Sequence, residues 1–164
     1  MANYTLINEN DPILSTAATE WNWDTDGEVA ELAKDMLKFM FEHNGIGLAA
    51  TQLGINKRIF VMGTPNMSFV CVNPKVISTT RTVKDIEGCL SFPGLWLHVD
   101  RAAEITVSYQ DILGANHEKT FTDLMARVFQ HEYDHLNGIT FVNKVSRLSL
   151  NLAKKRRTKN IKRK

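Results

Sequence analysis

Two histidines four residues apart, in Gln130-His131-Glu132-Tyr133-Asp134-His135, can grip one metal ion with a glutamate beside it. On an α-helix, at about 100° per residue, His131 and His135 fall roughly one turn apart on one face, and Glu132 projects next to them as a general base. The chemistry such a trio performs is the activation of water. The same spacing also arises by chance on helices, so its surroundings decide. Here they fit, because Leu124, Val128, His131 and His135 follow steps of four, three and four, one stripe expected to face inward. Thr122 or Asp123 is available as N-cap, and Asn137-Gly138 as the stop.

A metal that keeps one position open for water wants a third protein ligand. The candidates are Cys89, Cys71, His43, His98, His117 and the carboxylates. Cys89 stands out in Glu87-Gly88-Cys89-Leu90-Ser91, where a glycine lets the backbone approach closely and Ser91-Phe92-Pro93-Gly94 predicts a turn directly afterwards. Cys71, inside the apolar Ser68-Phe69-Val70-Cys71-Val72, reads as an inert buried thiol. A third stretch, Gly45-Ile46-Gly47-Leu48-Ala49-Ala50-Thr51-Gln52, offers a side-chain-poor wall for an extended substrate and an amide donor in Gln52. It lacks the Lys-Ser/Thr of a phosphate loop and the glycine spacing of a dinucleotide site.

These segments need elements to position them. Between Gly27 and Asn44, the residues Val29, Leu32, Ala33, Met36, Leu37, Met40 and Phe41 recur at helical spacing, with Asp24, Thr25 or Asp26 as N-cap and Asn44-Gly45 as the end. The period then changes. Arg58 to Met62, Phe69 to Asn73, Arg81 to Ile86, Ile105 to Tyr109 and Glu118 to Phe121 read as short strands. Thr64-Pro65-Asn66, Asn73-Pro74 and Gly114-Ala115-Asn116 punctuate them. Helices at the two ends and hairpin spacing between predict an α+β fold, its antiparallel sheets packed around a central metal-binding α-helix.

A chain of 164 residues makes one domain with a real core, assigned to residues 1–153, followed by a basic C-terminal helix or tail over residues 154–164. The formal charge of +2 conceals a division: eight of the twenty lysines and arginines lie in that tail, leaving 12 basic against 18 acidic groups before it. Such a tail suits an RNA partner or a solvated helix end. Two cysteines are too few for a disulfide framework, and no charged-then-apolar leader precedes Asn3-Tyr4-Thr5-Leu6, so a cytoplasmic location is expected. No apolar run approaches the roughly 20 residues of a membrane span, so no membrane role is expected.

Taken in order, Gly45 to Gln52, Glu87 to Ser91 and His131 to His135 resemble the three motifs of the peptide deformylase family, with Gln130 and Leu136-Asn137-Gly138 also fitting. The resemblance implies that Cys89, His131 and His135 bind a divalent metal, Fe(II) in family members, with Zn, Ni or Co as substitutes. It implies a water nucleophile deprotonated by Glu132, and an oxyanion met by the Gln52 amide and the Leu90 backbone N–H. The substrates are then N-formylmethionyl peptides, which release formate. Ile46, Gly47, Leu124 and Val128 are expected at the substrate, with Gly47 pairing its backbone as an added strand. Glu87 and Arg101 are expected as a supporting ion pair. Where some bacterial members carry an arginine near the rim, this chain has Trp96, which implies stacking or apolar contact. The tail is then expected to reach ribosomal RNA, and the protein to be a monomer. Two alternatives remain: a zinc peptidase of the His-Glu-x-x-His type, and an RNA-binding module with a structural metal. Against the first, no Glu or His follows His135 to complete a ligand set.

Overall fold

The change of period in the middle of the chain becomes two separate antiparallel sheets in the computed structural model, which describes residues 4–162. Asn3, and the last two residues of the basic tail, Arg163 and Lys164, lie outside the described residues. The larger sheet has the order β1-β2-β3-β6-β7, formed by Gly47–Ala49, Ile59–Thr64, Met67–Thr79, Glu104–Gln110 and Asn116–Thr122. The smaller is a hairpin of β4, Thr82–Cys89, and β5, Phe92–Ala102. Three α-helices accompany the sheets among the described residues: α1 Val29–Glu42, α2 Asp123–Leu136 and α3 Arg147–Ile161. None of the described helices is long and apolar enough to cross a membrane.

Strand β2 reads as a continuous apolar run because both its faces are covered. Ile59 and Val61 meet Val29, Ala33, Met36 and Met40 of α1, while Phe60 and Met62 meet Val128, Phe129 and Leu136 of α2. Phe60 and Phe129 stand edge to face with centroids 5.0 Å apart. Helix α2 packs on β1, β2, β6 and β7 of the large sheet and on β5 of the hairpin, so it is the element between the two sheets. A third apolar cluster joins Leu95, Leu97 and Val99 of β5 to Phe141 and to Ala153 of α3.

Several local expectations are corrected. Strand β3 runs through Asn73-Pro74, because the register shifts between Val72 and Lys75 and Asn73 takes a left-handed φ of 49°, a bulge that accommodates proline. Phe92 pairs with Cys89, so the chain reverses at Leu90-Ser91 and the stretch read as a turn already begins β5. Helix α1 is preceded by Glu28, without a side-chain cap. Asp26 instead accepts from the Asn22 N–H and pairs with Lys57 at 2.6 Å. Apart from these corrections, the expected basic C-terminal segment continues α3, which is tied to the N-terminal segment by Arg157 donating to Glu9 at 2.7 and 3.1 Å.

Candidate metal centre and its cavity

Helix α2 begins after Thr122, ends on Asn137 and passes into Gly138, whose φ of 69° and close approach to the Ser15 backbone require glycine. The helix buries Val128, His131 and His135 as its stripe predicts, and Glu132 beside them. Leu124 departs from that expectation. It lies in the first turn at 58% exposure, on the mouth of a cavity of about 480 Å³ rather than in the core.

Cys89, at the end of β4, brings its Sγ to 3.3 Å from His135 Nε2. One donor atom from each of Cys89, His131 and His135 lies within 4.8 Å of the other two. This is the sole such grouping among the described residues. The donor set fits a borderline-soft divalent ion: one thiolate, two imidazoles and room for a fourth ligand from the cavity. His131 Nδ1 is engaged by Glu87 Oε2 at 2.9 Å, which leaves Nε2 for the ion. The other thiol, Cys71, is buried in β3, and burial pushes its pKa well up. His117 pairs with Asp111 at 2.7 Å, and His43 stacks on Phe39 with centroids 4.0 Å apart.

Glu132 is 4% exposed and lines the cavity, and its Oε2 has no partner in the protein. Burial raises its pKa to about 7, against the pull of a charged His131. Burial opposes charge on His131 as well, but hydrogen bonds from its ring to Cys89 and Glu87 outweigh it and raise that pKa well above the usual value. His135 moves the other way, lowered by burial and by the charge on His131. Glu87 would also be raised by burial, yet its hydrogen bonds with His131 and Arg101 bring it down to about 2.

The Gln52 side chain is fixed from both ends. Its Oε1 accepts from the Ala49 N–H at 2.9 Å, so Nε2 is the end turned to Ser91 Oγ at 3.2 Å and Cys89 Sγ at 3.5 Å. Leu90 lies in the reversal between β4 and β5 and lines the same cavity, as do Ile46, Gly47, Leu124 and Val128. Gly47 begins β1, the end strand of the large sheet, whose second edge has no strand partner among the described residues. Trp96, 60% exposed, lays its ring over Gly88, where a Cβ would meet ring carbons at 2.8 and 3.0 Å.

With this arrangement in place, the family model of polypeptide deformylase matches residues 4–151. The chain belongs to the polypeptide deformylase family. The peptide deformylase of Prochlorococcus marinus strain NATL1A is 46% identical over 129 residues, which is 74% of this chain and 63% of that protein's length. The peptide deformylase of Rhizobium meliloti strain 1021 is 40% identical over 161 residues, covering 94% of this chain and 91% of the relative. Among solved structures, a Synechococcus elongatus peptide deformylase in complex with actinonin aligns with a TM-score of 0.88 at 38% identity, over 94% of this chain and 86% of that one. A Legionella pneumophila peptide deformylase aligns at 0.89 with 33% identity, over 98% and 96%. The deformylase family is metal dependent, in keeping with the Cys89, His131, His135 group. Neither the zinc-peptidase alternative nor the RNA-binding module gains support from these relatives.

The deformylase motifs account for the donors but not for everything that holds them. The expected Glu87–Arg101 pair is buried, with Arg101 Nε donating at 2.8 Å and Nη2 at 3.1 Å. Arg127 and Asp134, both unforeseen, extend it: Arg127 donates to Glu87 Oε1 at 2.9 Å, and Arg101 also pairs with Asp134. Lys144 reaches Asp134 from the surface at 3.3 Å. The helical position of Arg127, four residues before His131 on the ligand face, was the available signal.

Proposed function

We propose that this chain is a peptide deformylase, a metal-dependent hydrolase that removes the formyl group from N-formylmethionyl peptides and releases formate. The observation that carries the reading is the convergence of three metal-type donor atoms within 4.8 Å, with Glu132 in the cavity beside them and its Oε2 without a partner. Cys89, His131 and His135 would hold one divalent ion, Fe(II) foremost, with Zn, Ni or Co as substitutes. When bound, the ion supplies a Lewis acid that acidifies water and polarises the formyl oxygen.

The chain's own groups do the rest. Glu132 takes a proton from the attacking water and returns it to the departing amine, so one carboxylate serves as base and then as acid. The Gln52 Nε2–H and the Leu90 N–H meet the oxygen that becomes negative; the Ala49 contact pre-sets the Gln52 donor, so no reorganisation is needed as charge develops. Val128, with Ile46 and Leu124 nearer the mouth, gives the methionine side chain an apolar wall. The free edge of β1 at Gly47 offers N–H and C=O groups to the peptide backbone as an added strand.

The deciding assay follows formate release from formyl-Met-Ala-Ser against the unformylated peptide, for wild type and Glu132→Gln. The variant should keep fold and metal yet lose turnover by about 10²- to 10⁴-fold. Wild-type-like turnover in it removes Glu132 as the base. Internal cleavage without formate removes the deformylase reading itself.

Residues 1–153 would form the catalytic domain of a cytoplasmic monomer, and 154–164 a segment that meets ribosomal RNA. Lys154, Lys155 and Lys159 of α3 are exposed, which favours this partner. Because Arg157 anchors the helix, the informative variant is Lys154→Gln with Lys155→Gln and Lys159→Gln, not a truncation. Its ribosome affinity should fall and its salt slope drop by about two to three, with peptide turnover unchanged; an unchanged slope removes the partner.

A further inference from the structure

The thiolate donor and the two imidazole donors come from bodies that share no sheet. Cys89 sits at the tip of β4–β5, which pairs with no strand of the large sheet, while His131 and His135 ride on α2. A two-stranded hairpin alone is marginal in water, so its attachment to the helix sets how closely Sγ meets the imidazoles.

One side chain grips the backbone of both hairpin strands. Arg127 Nη1 donates to Val99 O and to Glu87 Oε1, both at 2.9 Å, and lies 3.4 Å from Asp85 O. Its Nη2 donates to Val83 O at 2.8 Å. Asp85 and Val99 are a cross-strand pair, so one guanidinium from α2 bridges both strands. The Glu87 carboxylate thereby accepts four hydrogen bonds, from Arg101 twice and from Arg127 and His131 once each, which fills its acceptor sites. Of the other polar links between α2 and the hairpin, His131 to Glu87 and Asp134 to Arg101 hold side chains, and the Gln130 amide holds the N–H and C=O of Ala102 at the far end of β5 alone. Although Arg127 borders the cavity, both its terminal nitrogens are committed to protein acceptors.

We propose that Arg127 is a positioning residue that locks the β4–β5 hairpin onto α2, and so sets the distance from Cys89 to the two histidines and the strength with which the site holds a divalent metal. A lysine can supply one charge to Glu87 but cannot reach two strands at once, since the planar fork is what spans them. The inference rests on the metal-holding reading of Cys89, His131 and His135.

The test uses the full chain as wild type, Arg127→Met, Arg127→Lys and the control Lys144→Met. Zn(II) affinity is measured by chelator competition, the Cys89 bond by the thiolate-to-Co(II) absorption band, and stability by melting of the metal-free protein. Arg127→Met should lose about 10- to 100-fold in affinity and weaken the band, as removal of groups supporting metal ligands does. Arg127→Lys should recover part of the loss, and Lys144→Met should bind within about twofold of wild type. A lowered melting point with affinity and band unchanged would overturn the proposal. So would a raised KM for peptide with unchanged affinity, which would assign Arg127 to substrate. If Arg127→Met does not fold, wild-type affinity in Arg127→Lys overturns it equally. Absence of the thiolate band in wild type, or undiminished metal binding in Cys89→Ser, would instead remove the metal reading on which it stands.

Discussion

Replacing Gly47 by alanine tests whether the first motif is shaped around Glu132, the proposed base. A Cβ at Gly47 would stand 2.9 Å from Glu132 Cδ and 2.8 Å from Val128 Cγ1, and closer still to Glu132 Oε1, where ordinary contact begins at 3.4 Å. Clearing all three requires the carboxylate to withdraw by on the order of 1 Å, and a misplacement of that size costs about 10²-fold in turnover. That is about 2.7 kcal/mol of barrier. Overpacking of this kind costs about 1–3 kcal/mol of stability, so the variant should fold. Formate release under saturating peptide should show kcat reduced about 100-fold, with metal content unchanged and a modestly lowered melting point. Adding Val128→Ala relieves one contact but leaves the conflict with Glu132, and should recover little. A kcat within about threefold of wild type in Gly47→Ala would refute the reasoning, for the space at Gly47 would then not govern where Glu132 sits.

Two further outcomes follow from burial and charge. In native metal-free protein a thiol reagent should modify Cys89 alone, with Cys71 reacting only on unfolding, because Cys71 is fully buried and its thiol pKa is raised; two fast thiols would contradict this. The hydrogen bond from Arg157 holds the Glu9 carboxyl below its ordinary pKa. Its contribution is therefore present above the unfolded carboxyl value and is lost as pH falls through the folded one. The melting-point gap between wild type and Glu9→Gln should accordingly close between neutral pH and about pH 3; a gap independent of pH would remove the pair as the anchor of α3.

The donors were legible because their information is local or sequential. His131 and His135 need only a helix, and α2 supplies it; Cys89 needed the order of three motifs to be singled out from Cys71. Strand β5 was missed although Leu95, Leu97, Val99 and Arg101 alternate inward, since Pro93-Gly94 was read as the end of an element and a buried arginine disguised the period. Strand β1 is three residues long, too short for any pattern. For Arg127 the place on the ligand face could be read but not the role: its acceptors lie 28 to 44 residues away, on two strands whose pairing only the folded chain displays. Leu124 obeyed the helical stripe but not its depth, because in the first turn of the helix the stripe has already run out of the core into the cavity mouth.

The shortness of β1 has its own bearing on what such an enzyme can recognise. At about 3.3 Å per residue, a three-residue edge is about 10 Å of template. That is enough backbone to register about three residues of a guest chain and nothing further along it. Under the proposed activity, so brief a ruler would measure only where a polypeptide starts and leave the sequence beyond it unread.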